Sequence, residues 1–174
     1  MSHQQLWFLR HGEAEPHGSR PDEERELTER GREQSLAAGQ ALLSLELTFQ
    51  HVFTSPKVRS LETARLACEA FGCEPVVHDP LSAGFDRDDA IALLNAAGPD
   101  KRVLVVGHEP DFSQVVHDLT GARIDLKKGG VAGVRLEHAG RGELVLLLRP
   151  REIDRICGQP SARTAADAAT SSGS

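Results

Sequence analysis

The stretch Gln5-Leu6-Trp7-Phe8-Leu9-Arg10-His11-Gly12-Glu13 decides the reading of this chain, because a short apolar run stops abruptly at a cation, an imidazole and a glycine. That pattern predicts a strand with its chemistry at the C-terminal end. In an open α/β sheet, ligands sit outside the carboxyl ends of the strands, where the following loops are free to wrap them. Arg10 would supply charge there, His11 a nucleophile or base, and Gly12 room for close backbone approach.

Further apolar runs at Val52 to Thr54, Val76 to Val77, Val103 to Val106, Val131 to Leu136 and Leu144 to Leu148 read as strands. Helix-like stretches alternate with them. From Thr28, a suitable N-cap, Leu36, Ala37, Gln40, Leu43 and Leu47 follow a helical period. Ser55-Pro56 is expected to open a second helix, with Ser as cap, Pro in the first turn, and Leu61, Ala64 and Cys68 on one side. A third runs from about Asp86 to Ala97, stopped by Gly98-Pro99, and a fourth starts near Pro110 or Asp111. This βαβα order predicts one α/β domain over residues 1–158, a three-layer sandwich whose mostly parallel sheet is flanked by helices. The last two runs, separated by Gly140 and Gly142, add a C-terminal hairpin. Residues 159–174 are mostly Ser, Ala, Thr and Gly with almost no large apolar side chain, and are expected to form a disordered tail.

Composition narrows the function. A chain of 174 residues supports one sizeable core. The net charge of -6 and a pI near 5.7, with basic residues scattered, argue against a nucleic-acid or anionic-membrane binder. The N-terminus lacks a signal-peptide profile, and no apolar run approaches the roughly 20 residues that span a bilayer, so a soluble cytoplasmic protein is expected. Monomer is the default. Cys68, Cys73 and Cys157 form an odd set without paired zinc spacing, which predicts reduced thiols. Tyr is absent and aromatic residues make up 4%, so the core must be mainly Leu, Val and Ala.

Three strand ends share one rim in such a sheet. Besides Arg10-His11-Gly12, they present Val106-Gly107-His108-Glu109 and Thr54-Ser55-Pro56-Lys57-Val58-Arg59, the latter leading into a helix N-terminus that favours anions. Two histidines, two arginines and a helix start in one place describe a site for a dianionic oxyanion, with phosphate the obvious candidate.

These blocks, with Leu27-Thr28-Glu29-Arg30-Gly31-Arg32 and Thr63-Ala64 between them and Pro110 after them, resemble the histidine phosphatase superfamily, a phosphoglycerate mutase-like fold, and within it the SixA-type phosphohistidine phosphatases. The resemblance implies that His11 attacks phosphorus and is transiently phosphorylated. It also implies that Arg10, Arg59 and His108, with Gly12 beside them, hold the phosphoryl oxygens. A neutral imidazole has a free lone pair for that attack, and its second nitrogen must donate to an acceptor such as a loop carbonyl. Either nitrogen fits either role. No metal or organic cofactor is implied.

Larger relatives carry a proton-donating acid on an insertion, whereas Asp79 to Asp86 leaves no room for a lid-sized one. That compactness suits a phosphoramidate, whose leaving imidazole depends less on an enzyme acid than an alkoxide does. The expected substrate is therefore phosphohistidine on a protein. Among Glu13, Asp79, Asp86 and Glu109 as proton donors, Glu13 is nearest in sequence to the nucleophile. The rival readings are a phosphatase for small monoesters or nucleotides, and a noncatalytic phospholigand-binding module. His11, Glu13, Glu15 and His17 superficially resemble metal ligands, but their loop spacing matches no helix-borne metal pattern. Thr28 to Arg32 reads more simply as a helix start than as a substrate loop.

Overall fold

The computed structural model describes residues 4–137 and 140–158, so the tail expected over 159–174 lies outside the described residues. Six strands form one sheet: β1 (Gln5–Arg10), β2 (His51–Thr54), β3 (Val76–Val77), β4 (Arg102–Gly107), β5 (Val131–Leu136) and β6 (Gly142–Leu148). They lie in the order β3-β2-β4-β1-β5-β6. The first four are mutually parallel, β5 runs antiparallel to β1, and β5 and β6 pair as the expected hairpin.

Strand β1 is apolar throughout because both its faces are covered. Leu6 and Phe8 pack with Val103, Val105 and the helices α3 (Arg87–Ala97) and α4 (Asp111–Thr120). Trp7 and Leu9 point the other way, into a second cluster with Leu104, Val106 and the helices α1 (Glu29–Ser44), α2 (Val58–Cys68) and α5 (Pro150–Ile156). Three layers result. No described helix is long and apolar enough to cross a membrane.

Helix ends follow local chemistry. Thr28 Oγ1 accepts from Gly31 N at 3.1 Å, and Asp86 and Asp89 make a reciprocal capping box at the start of α3. Two expectations change. The buried face of α1 is Ser35, Ala37, Ala38, Gly39, Ala41 and Leu42, whereas Gln40 and Leu43 are exposed and Leu47 lies past the helix end. Small residues win there because α2 approaches closely: a Cβ on Gly39 would stand 2.4 Å from the Ala67 carbonyl oxygen. Ser55-Pro56 also stops short of α2, which begins at Val58 with Lys57 as its cap residue. Helix α5, unanticipated, seats Ile153 in the second cluster and pairs Asp154 with Arg30 of α1 at 3.2 Å.

Candidate active site

Because β2, β4 and β1 are adjacent and parallel, their carboxyl ends open on one edge, and the backbone extends the ladder past them. His11 N donates to Gly107 O at 3.0 Å and Ser55 N to Val106 O at 3.0 Å. Arg10, His11, Arg59 and His108 thereby line a single cavity of about 320 Å³, shared with Asp22 and Lys128. The His11 and His108 rings lie 5.2 Å apart between centroids.

His11 Nδ1 lies 2.7 Å from its neighbour's carbonyl, Gly12 O. A carbonyl oxygen only accepts, so Nδ1 carries the proton and the neutral ring keeps its lone pair on Nε2. Burial, reinforced by the charges of Arg59, Arg10 and Lys128, lowers the His11 pKa to about 3 against the pull of that carbonyl. His108 is lowered to about 3 as well, first by burial and then by His11, Arg59 and Lys57. Both rings are neutral near pH 7.

The His11 loop is held by very close backbone contact. A Cβ on Gly12 would meet Gly31 O at 2.5 Å, and one on Gly31 would meet Glu13 O at 1.9 Å. Both positions therefore require glycine for space. Gly12 N donates to Thr63 Oγ1 at 3.1 Å, and that hydroxyl donates to Arg59 O at 2.7 Å, tying the loop to α2. Arg10 Nη1 reaches Leu126 O at 3.0 Å, and His108 Nε2 pairs with Ser55 Oγ at 2.8 Å. Buried polar atoms without a hydrogen-bond partner are uncommon. Of the four such side-chain atoms among the described residues, three belong to this cavity's wall: Arg10 Nε, Arg59 Nε and His108 Nδ1. A wall with two guanidinium groups and spare polar atoms suits a tetrahedral oxyanion.

Glu13, the nearest acid in sequence, is placed elsewhere. Its Oε1 accepts from Thr28 Oγ1 at 2.9 Å and the residue is absent from the cavity lining, which carries Asp22, Glu109 and Asp111 instead. Glu109 accepts from both the backbone N–H and the hydroxyl of Ser113, and Asp111 Oδ2 accepts from Gly84 N at 2.9 Å. Glu15 Oε1 accepts from Glu26 N at 2.7 Å and its other oxygen pairs with Arg20 at 3.1 Å, so the acids of the apparent metal cluster serve the loop itself.

Sequence reasoning missed Asp22, Arg25 and Lys57. Asp22 accepts from Arg25 Nη2 at 2.8 Å, from Lys57 Nζ at 3.1 Å and from Arg59 Nη2 at 3.2 Å. In sequence they belong to charged stretches of the kind that usually face solvent. The signal was the spacing of Asp22 three residues before Arg25, which places opposite charges one turn apart.

The histidine phosphatase superfamily (branch 1) model matches residues 6–82, which contain Arg10, His11 and Arg59. An uncharacterised protein of Picosynechococcus sp. is 32% identical over 160 residues, covering 84% of this chain and 97% of that protein. The chain belongs to the histidine phosphatase superfamily. The mitochondrial serine/threonine-protein phosphatase Pgam5 of Drosophila persimilis is 34% identical over 119 residues, 68% of this chain and 37% of that protein, so the chain spans little over a third of it. The structure of the protein histidine phosphatase SixA complexed with tungstate superposes with a TM-score of 0.78 at 24% identity, covering 86% of this chain and 99% of that one. Membership in this superfamily supports a phosphatase acting on a phosphorylated substrate, and the fold is that of the SixA structures.

Proposed function

We propose that this protein removes phosphate from phosphohistidine on a protein through a phosphorylated His11. The observation that carries the reading is the Nδ1 contact of His11 with Gly12 O at 2.7 Å, which leaves Nε2 as the lone pair among two arginines. His11 Nε2 attacks phosphorus. The bond from phosphorus to the leaving imidazole nitrogen breaks, its electron pair stays on that nitrogen, and a proton from solvent neutralises it. Water then attacks the phosphorylated His11, releasing orthophosphate and returning the imidazole. Arg10 and Arg59 balance charge on the equatorial oxygens, and His108 lies against them as a neutral hydrogen-bonding group.

What borders the cavity supports this substrate class. Between β3 and α3 the chain has only His78, the turn Asp79–Ser82 and the short segment Ala83 to Asp86, so among the described residues this connection carries no lid-sized insertion over the mouth. A side chain presented by a folded partner can enter such a mouth. The competing reading, a monoester phosphatase, is favoured by the Glu109 and Asp111 carboxylates in the lining, which are better placed than Glu13 to protonate an alkoxide.

Hydrolysis of a phosphohistidine-bearing protein should be compared with a panel of phosphate monoesters, using the wild type and His11→Ala. The expected result is a strong preference for the phosphoramidate, with turnover lost in the variant and orthophosphate binding retained. Preference for monoesters transfers the assignment to the competing reading. Unchanged turnover in His11→Ala removes His11 as nucleophile, and no turnover of either substrate class favours a binding module.

A further inference from the structure

Asp22 stands on the short turn Asp22–Glu24 between β1 and α1, where three cations close on it. Its Oδ1 accepts from Arg25 Nε at 3.1 Å and Nη2 at 2.8 Å. Its Oδ2 accepts from Lys57 Nζ at 3.1 Å and from Arg59 Nη2 at 3.2 Å, while its main-chain oxygen accepts from Arg59 Nη1 at 2.6 Å. The guanidinium of Arg59 is therefore gripped twice by one residue. Arg25 is itself fixed, because it is buried and its Nη1 donates to Glu15 O at 2.8 Å. Burial opposes the charge on Asp22, but donors from Arg25 and Lys57 and the nearby Arg59 hold its carboxyl well below the usual carboxylate range.

Two consequences oppose each other. A long, flexible arginine loses considerable rotamer freedom when it binds an anion, and a contact that fixes it beforehand aligns it for the transition state. The same negative charge, hydrogen-bonded to Arg59 and Lys57, reduces the positive potential that attracts a ground-state anion. Resting on the assignment of Arg59 as a phosphoryl-binding group, we propose that Asp22 is a positioning residue, a resident counter-ion that aims Arg59 at the cavity and weakens ground-state anion binding while raising turnover. Although it also borders the cavity, its effect on the reacting groups runs through Arg59.

The test uses Asp22→Asn, Arg59→Ala and the double variant, with phosphoimidazole as substrate and inorganic orthophosphate as the probe of anion affinity. Asp22→Asn is expected to lower kcat about tenfold, the scale of one charge-assisted hydrogen bond. Orthophosphate should bind up to about fivefold more tightly. In the Arg59→Ala background the same change should leave kcat where Arg59→Ala put it. Asp22→Ser, which removes the carboxylate without adding an amide donor, should shift both quantities in the same directions.

An unchanged kcat, an equal loss without Arg59, or orthophosphate affinity falling together with kcat overturns the proposal. A wild type that turns over neither phosphoramidates nor monoesters and binds no orthophosphate overturns the reading of the site, and this proposal with it. An active wild type with an indifferent Asp22→Asn overturns the role of Asp22 alone.

Discussion

At the scale of single residues, the two imidazoles of the cavity are kept neutral by burial among cations, with pKa values of about 3 for His11 and His108. That state has a cost in acid. Unfolded imidazole titrates near about 6.5, so above that pH both states are neutral and pH has no effect through these groups. Below it the unfolded chain binds protons that the folded chain refuses, and stability falls as pH drops from about 6.5 toward 3, by about 1.4 kcal/mol per pH unit for each imidazole. Urea unfolding of wild type and His108→Asn from about pH 7 to about pH 4.5 should show a flatter dependence in the variant. Parallel curves would mean that His108 is not held neutral by the fold. That Arg10, His11, Arg59 and His108 would meet at one edge of the sheet was legible from their positions at strand and helix ends. The proton on His11 Nδ1 was not, because it depends on where one carbonyl lies.

At the scale of elements, glycines set how closely backbones approach, and they do so for different purposes. Gly31 in α1 lets the His11 loop lie against the helix start, while Gly39, two turns on, lets α2 lie against α1. A Cβ at Gly31 collides with Glu13 O at 1.9 Å and one at Gly39 with Ala67 O at 2.4 Å, backbone atoms that cannot swing away. Each Gly→Ala change should destabilise the protein by about 1–3 kcal/mol, as overpacking does. The effects on turnover should differ: Gly31→Ala is expected to lower kcat because it displaces the loop carrying His11, and Gly39→Ala to leave turnover per folded molecule near wild type. Chemical unfolding combined with assays under folding conditions separates the two, and equal activity losses would argue against the distinction. Sequence reading placed α1 from Thr28 correctly, but the period it followed runs through Gln40 and Leu43, which are exposed, and Leu47, which lies past the helix end. Leucine periodicity marks a helix; it does not show that a close neighbour selects alanine and glycine over larger side chains.

At the scale of the whole molecule, the sheet separates two packed layers, and the layer containing α1 and α2 is completed by α5 from the end of the described chain. Ile153 of α5 is 1% exposed. Ile153→Ala should cost about 2–5 kcal/mol, the range for truncating a buried aliphatic side chain. Turnover per folded molecule should stay near wild type, since α5 contributes nothing to the cavity lining; thermal unfolding and an activity assay below the transition check both parts, and a large kcat loss would couple this layer to the site. The sequence by itself determined the α/β class, the parallel strands, the hairpin and the histidines and arginines at one edge, because apolar runs, caps and strand-end residues act over a few neighbours. Tertiary structure alone decided that Asp22 grips Arg59, that Ser55 Oγ meets His108 as well as the Lys57 N–H before α2, that Glu13 turns to Thr28, and that a seven-residue helix closes one layer. Those outcomes depend on contacts between segments far apart in the chain, whose distances no local pattern encodes.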